Sequence, residues 1–153
     1  MKVDSSFKKD INILKSNHYG DISYADNEII SFEKGMLGFE NLGKFILREI
    51  KENLMFKLLH SLEDENIAFV VLNLFDIKKD YEIDLEDDVI RRLEIKKPEE
   101  VLLLNTVTLD KDPKKITSNL RAPIVMNVRL NKAEQVILRT ENYKIKHYLV
   151  EDR

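Results

Sequence analysis

Short apolar stretches alternate with turn residues along most of this chain, at the spacing typical of an all-β domain. The stretches cover 20–24, 28–32, 44–50, 56–62, 68–75, 101–109, 124–130 and 135–139. Residues 69–72 are apolar at consecutive positions, which a strand tolerates only when both of its faces are covered. We therefore expect this strand to be the central one.

One segment breaks the strand pattern. Val89, Ile90 and Leu93 share one helical face, between an acidic first turn and a basic last turn, which predicts one short helix near residues 85–93. A closed or nearly closed antiparallel barrel holds many short strands without leaving exposed edges. The predicted fold is therefore mainly β, a small antiparallel β-barrel-like single domain.

The first residues of the chain are polar and lack periodicity, so residues 1–12 are predicted to be a flexible arm and residues 13–153 the folded domain. A chain of 153 residues fits one domain and can bury roughly two-thirds of its unfolded surface. The charged start lacks the apolar core of a signal peptide, and no run reaches membrane-spanning length. With no cysteine present, these features predict a cytoplasmic protein without disulfides.

The charge balance bears on the class of partner. The chain has 25 Lys and Arg against 28 Asp and Glu, a formal net charge of −3. Broad nucleic-acid affinity needs clustered cations that neutralise phosphates, so the balance argues against direct nucleic-acid binding and favours basic protein partners. We expect no membrane partner and no small-molecule substrate.

Catalytic and metal-binding patterns are missing from the sequence. The histidines His18, His60 and His147 lack metal-ligand spacing, and no nucleophile is placed beside a proton-transfer partner. His60 lies between apolar residues within a strand pattern, where a hydrogen-bonded core histidine is the favoured interpretation. We expect a binding protein without catalytic activity, metal or cofactor.

The first of two unusual motifs spans residues 35–40. Gly35 and Gly38 are predicted to form a turn with positive φ, because no helix follows at the place a phosphate-binding loop requires. Phe39 either inserts into the core to anchor this loop or is exposed as a contact for a partner, next to Glu40.

The second motif spans residues 119–127. Asn119 and Asn127 either satisfy backbone groups at the ends of a strand or contact a partner beside Arg121. Pro123 within a strand pattern predicts an edge or a strand start, where free backbone groups can receive another chain. Alternation in the strand that follows predicts one core face and one face open to solvent or to a partner.

A run of carboxylates occupies residues 80–88. In 81–85 the apolar side chains alternate with acidic ones, so the acids share one side of an extended segment. The run is either an ordinary solvent-exposed face or an acidic docking strip for a basic partner, formed by Asp80, Glu82, Asp84 and Asp87.

In colinear order from about residue 14 to residue 149, the sequence resembles the family of the flagellar assembly factor FliW. The matching motifs are 19–22, 29–32, 35–40, 59–61, 107–109, 117–127, 135–138 and 143–147. Glu33 and Leu37 stand where the family usually has proline, which makes the loop less rigid. His60, Ser118 and Lys146 replace the usual Gln, Ala and Arg.

This resemblance implies a cytoplasmic β-barrel-like protein that binds flagellin. It also implies that the protein, when released from flagellin, binds the translational regulator CsrA and antagonises it allosterically, relieving repression of flagellin translation. Flagellin termini are helical, so a binder needs apolar anchors, for which Phe39 or Val125 would serve if exposed. The candidate partner-binding residues are Phe39, Glu40, Asp80, Glu82, Asp84, Asp87, Asn119, Arg121, Pro123 and Asn127.

Two other function classes stay open at this point. A small-ligand-binding barrel would use a deep pocket that contains His60. A single-strand RNA-binding module would need a contiguous basic strip with an exposed Tyr or Phe.

Overall fold

The computed structural model describes residues 11–76 and 78–150 and confirms a mainly β fold with one short helix. The strands are β1 (Ile11–Ser16), β2 (Gly20–Ala25), β3 (Ile30–Phe32), β4 (Lys44–Glu49), β5 (Phe56–Ser61), β6 (Ala68–Leu72), β7 (Val101–Thr108), β8 (Thr117–Ser118), β9 (Ile124–Asn127), β10 (Lys132–Gln135) and β11 (His147–Tyr148). The helix, α1, spans Asp87–Arg92 within the predicted range, with acidic residues in its first turn and arginines in its last.

Seven strands close into a barrel in the order β7, β6, β5, β4, β3, β10, β9 and back to β7. All neighbouring pairs in this ring are antiparallel except β10 and β3, which run parallel. β8 and β11 extend the sheet outward from β7, and β1 pairs with β2 as a separate hairpin. The ring gives each of its strands a neighbour on both sides, as the barrel prediction required.

The barrel interior is one hydrophobic cluster to which all seven ring strands contribute. Its strand residues are Ile30, Phe32, Phe45, Leu59, Val71, Leu104, Ile124, Met126 and Ala133. On β6, Phe69 and Val71 pack into this cluster, whereas Val70 and Leu72 pack into a second cluster outside the barrel. Both faces of β6 are therefore covered, which confirms the interpretation of its consecutive apolar residues.

Pro123 lies directly before β9, in agreement with the predicted strand start, but the exposed edge predicted as the alternative is wrong. Pro123 is buried, and the strand that follows it, β9, pairs with β10 on one side and β7 on the other. The carbonyl of Pro123 accepts a hydrogen bond from Val136 N at 2.9 Å. Proline begins this strand because it lacks the N–H that an interior ladder position needs, and no free edge results.

The open face predicted for β9 is also closed. All four residues of β9 are buried, including Val125 and Asn127, which sequence alternation placed toward solvent. α1 covers this outer face, because Val89 and Leu93 pack with Val125 and with Leu103 of β7 in a third cluster. The helix thus lies over the seam where β7 and β9 close the barrel.

His60 is the hydrogen-bonded core histidine that the sequence predicted. Its Nδ1 lies 2.8 Å from the carbonyl oxygen of Ser61 and its Nε2 lies 2.7 Å from Ser16 Oγ. A carbonyl oxygen only accepts hydrogen bonds, so Nδ1 of His60 donates to Ser61 O. In the neutral imidazole with that tautomer, Nε2 accepts a hydrogen bond from the Ser16 hydroxyl. Ser16 Oγ also accepts from Tyr19 N at 3.1 Å, so this network ties the turn of the β1–β2 hairpin to the barrel.

The N-terminal arm was predicted over residues 1–12, of which residues 1–10 lie outside the described part of the chain. Ile11 and Asn12 belong to β1, where they face Ala25 and Tyr24 of β2. The last two positions assigned to the arm are therefore strand residues.

The loop at residues 35–40 is the positive-φ turn that the sequence predicted, with φ of 67° at Gly35 and 85° at Gly38. Phe39 is half-buried and packs edge-to-face on Phe69, with ring centroids 5.3 Å apart. Glu40 is exposed, and its Oε1 accepts from Gly38 N at 3.1 Å. Phe39 therefore anchors the loop on the barrel core.

Gly35→Ala is expected to destabilise the protein by roughly 2–4 kcal/mol. Alanine is strained at the positive φ of this position, and its Cβ would also overlap with neighbouring backbone atoms. A Cβ at Gly35 would lie 2.6 Å from Phe39 O, whereas nothing lies within 4 Å of a Cβ at Gly20, where φ is 70°. Gly20→Ala, the matched control, should cost only about 1 kcal/mol. Urea unfolding followed by circular dichroism measures both, and equal losses would contradict the steric account.

Candidate partner-binding surface

Residues 80–87, which run from a turn to the first residue of α1, form an acidic ridge on the outside of the barrel. Tyr81 is completely buried, Ile83 and Leu85 are half-buried, and Glu82 and Asp84 are exposed, so the alternation predicted from sequence is present. The apolar side chains fix the segment to the protein, and the acids consequently project from it.

Two tyrosines hold the ridge in place. The Tyr81 hydroxyl donates to Leu120 O at 2.6 Å, and burial raises the pKa of this phenol above its ordinary value, so it remains a donor. The Tyr143 ring packs edge-to-face on Tyr81 with centroids 4.8 Å apart. The Tyr143 hydroxyl accepts from Glu82 N at 3.0 Å and donates to Glu82 O at 2.9 Å. The ridge is thus fixed at its backbone before any partner arrives.

Only part of the ridge's negative charge is compensated. Asp80 pairs with Lys78 at 3.1 Å, and the Lys78 hydrogen bond and charge hold the Asp80 pKa below its ordinary value. Glu86 pairs with Arg139 at 3.0 Å. In the part of the chain that the structure describes, Glu82, Asp84 and Asp87 form no ion pair. Their charges are available to steer a basic partner.

A polar groove of about 410 Å³ runs along one side of the ridge. It separates the ridge from the segment that follows β10. Its lining residues are Glu82, Ile83, Asp84, Glu86, Val136, Ile137, Leu138, Arg139, Thr140, Asn142 and Tyr143. Ile137 is 60% exposed here, so the groove offers an apolar contact among charged and neutral polar groups.

An apolar groove of about 420 Å³ runs along the other side of the ridge and shares Ile83 with the polar groove. Its lining is apolar except for two lysines and consists of Phe75, Ile83, Leu85, Ile90, Ile95, Lys96, Lys97, Pro98, Val101 and Leu103. These residues come from five separate segments, including α1 and β7. Local sequence patterns therefore gave no signal for this groove, although the exposed Phe75 belongs to it.

Asn119 and Arg121 support the ridge from behind. Asn119 Oδ1 accepts from Arg121 N at 3.0 Å and from Ala122 N at 3.1 Å, which closes a local turn. Arg121 Nε donates to Tyr143 O at 3.1 Å and so positions the residue that holds the ridge. Both residues are half-buried, so the structural role that the sequence allowed for Asn119 is present.

Asn127 is completely buried and cannot touch a partner directly. Its Nδ2 donates to Leu93 O at 2.8 Å and Glu94 O at 3.3 Å, the carbonyls at the end of α1. Its Oδ1 accepts from Arg129 N at 3.0 Å and Leu130 N at 3.3 Å. The side chain thus satisfies free groups of the helix end and of the turn after β9, and the predicted contact role is replaced by a structural one.

The remaining candidate residues are not brought to the ridge. Phe39 and Glu40 belong to the glycine loop and line neither groove, and Pro123 is buried. A ligand pocket around His60 finds no support, because His60 is 1% exposed and lines neither groove. Among residues 11–76 and 78–150, no group of three or more His, Asp or Glu is arranged to hold a metal ion.

Comparison with known families decides the classification. The model of the family described as FliW protein matches residues 13–149 of this chain. The chain belongs to the FliW family. The prediction made from sequence motifs is thereby confirmed.

Similar members of the FliW family include curated proteins named flagellar assembly factor FliW. The one from Clostridium botulinum (strain Alaska E43 / Type E3) is 49% identical over 140 residues, covering 92% of this chain and 99% of that protein. The one from Clostridium tetani (strain Massachusetts / E88) is 48% identical, covering 91% and 96%. A crystal structure of the flagellar assembly factor FliW matches with a TM-score of 0.88 at 33% identity, covering 93% of this chain and 99% of that one.

No helix in the described residues of this FliW family member is long and apolar enough to cross a membrane.

Asn127→Ala is expected to destabilise the protein by roughly 2–4 kcal/mol, because it leaves buried carbonyl and amide groups without partners. Asn142→Ala, at an exposed position whose side chain forms no hydrogen bond among the described residues, is the control and should change stability by less than about 0.5 kcal/mol. Urea unfolding monitored by circular dichroism gives both values. An Asn127→Ala protein as stable as the control would show that the α1 connection is unimportant.

Proposed function

We propose that this protein is a flagellar assembly factor that binds flagellin and, when released from it, binds and allosterically antagonises CsrA. Repression of flagellin translation is thereby relieved. The proposal rests on family membership and on one structural observation, the acidic ridge with a groove on each side. Binding through a preformed surface needs no catalytic residues, and we propose no catalytic activity.

The ridge suits a partner with a cationic surface. CsrA binds RNA, and proteins that bind RNA neutralise phosphates with Lys and Arg. Glu82, Asp84 and Asp87 carry charges without ion-pair partners among the described residues, so they attract such a surface over a distance of about one Debye length. By linkage, the factor by which this protein weakens the binding of RNA to CsrA equals the factor by which RNA weakens the binding of this protein to CsrA.

The apolar groove suits the helical ends of flagellin. An amphipathic helix binds by laying its apolar face into a groove lined by hydrophobic side chains. Phe75, Leu85 and Ile90 line such a groove, whereas Val125 is completely buried and Phe39 packs on Phe69. We therefore assign the anchoring role to the groove instead of to Phe39 or Val125.

The variant E82Q/D84N/D87N tests the ridge by removing three charges with little change in side-chain shape. We expect its association rate with purified CsrA to fall roughly fivefold or more at 50 mM salt, because electrostatic steering acts mainly on the association rate. The difference from the unaltered protein should shrink strongly at 300 mM salt, where the Debye length is shorter. Biolayer interferometry at both salt concentrations gives the association and dissociation rates.

The matched control is E49Q/E52Q/E99Q, which removes three exposed carboxylates that form no ion pair within the described residues. Its association rate should stay within about twofold of the unaltered protein, since only the general field changes. An equal slowing in both variants would assign the effect to net charge. An association rate that does not depend on salt would reject the ridge as the CsrA site.

A further inference from the structure

A second charged surface lies outside the ridge and both of its grooves. It is a groove of about 730 Å³ between the turn at residues 112–115 and the C-terminal segment that contains β11. Its lining residues are Asp112, Lys114, Lys115, Lys144, Lys146, His147, Tyr148 and Val150. We call it the cationic groove.

The cationic groove has four lysines and one carboxylate in its lining, so its net charge is positive. Lys114, Lys115, Lys144 and Lys146 are exposed and form no ion pair within the described part of the chain. The one acid in the lining, Asp112, is engaged locally, since its Oδ1 accepts from Lys114 N at 3.0 Å. Four like charges therefore face one concavity on a chain whose formal net charge is −3.

The C-terminal segment supplies most of this lining. Tyr143 and Leu149 turn inward and pack on the cluster that contains Tyr81. The even-numbered positions 144, 146, 148 and 150 are exposed and line the groove. The segment whose Tyr143 packs beside the acidic ridge therefore also presents lysines to the cationic groove.

The groove borders an unpaired sheet edge. β11 pairs with β8, and no second strand pairs with it among the described residues. Leu149 N donates to Ile116 O at 3.1 Å, so the N–H and C=O of the adjacent Tyr148 point away from β8. An extended chain can hydrogen-bond to such an edge while its side chains meet the lysines.

We propose that the cationic groove binds an extended, acidic polypeptide segment that adds to the edge of β11. Carboxylates on alternate residues of that segment meet the four lysines. Single-stranded RNA fits less well, because such sites use successive aromatic side chains as stacking platforms. The lining contains one tyrosine, one histidine, no phenylalanine or tryptophan, and no arginine. The inference does not depend on flagellin or CsrA, so it stands or fails independently of the proposed function.

A labelled ten-residue peptide of alternating Glu and Val is the probe, and fluorescence anisotropy with the full chain at 50 mM salt is the measurement. We expect saturable binding that weakens at least tenfold in K144E/K146E and in K114E/K115E, which alter the two sides of the groove separately. K15E/K51E carries the same change of charge at exposed lysines elsewhere and should bind within about twofold of the unaltered protein.

The comparison ligands are a ten-residue peptide of alternating Lys and Val and a decauridylate RNA. The midpoint of urea unfolding of each variant confirms that the variant is folded. Three results would overturn the proposal. They are Glu/Val binding no tighter than Lys/Val binding, an equal loss in K15E/K51E, and RNA binding that is tighter than peptide binding and lost in K144E/K146E. The last result would identify a nucleic-acid site.

Discussion

The pairing of β9 with β7 closes the barrel, and the rest of the structure depends on this seam. Val101 to Leu104 pair with Asn127 to Ile124, and α1 packs over the outside of that joint through Val89 and Leu93. Asn127 bonds the helix end from inside the seam. The seam buries β9, although the sequence pattern of β9 predicts one exposed face. The seam also positions α1, which lines the apolar groove together with residues of the ridge.

The C-terminal segment connects the two charged surfaces. Tyr143 holds the acidic ridge through both backbone groups of Glu82, and Arg121 in turn holds Tyr143. A few residues further on, the segment presents Lys144 and Lys146 to the cationic groove. The C-terminal segment thus contacts a surface of negative charge and contributes to one of positive charge. Each surface disfavours the approach of a partner with the same sign of charge.

Local patterns predicted the features that local physics determines. Strand alternation, the short helix, the glycine turn and the buried His60 each follow from residue type and near neighbours. Sequence patterns do not predict what covers β9, because its partners on β7 and α1 lie 20 or more residues away along the chain. For the same reason the sequence pattern places Asn127 and Pro123 among the candidate partner-binding residues, although both are buried. Sequence patterns predict neither groove beside the ridge, because several separate segments of the chain form each groove.

Hydrogen–deuterium exchange of the full chain, alone and with each of the two proposed partners, tests most directly whether a preformed surface does the binding. The account predicts slower exchange in residues 82–87 with CsrA and in residues 83–98 and around Phe75 with flagellin terminal peptide. Exchange in β5 and β6 should stay unchanged, since the barrel does not open. Protection spread evenly over the barrel strands, or no protection at the ridge and apolar groove with either partner, would contradict it.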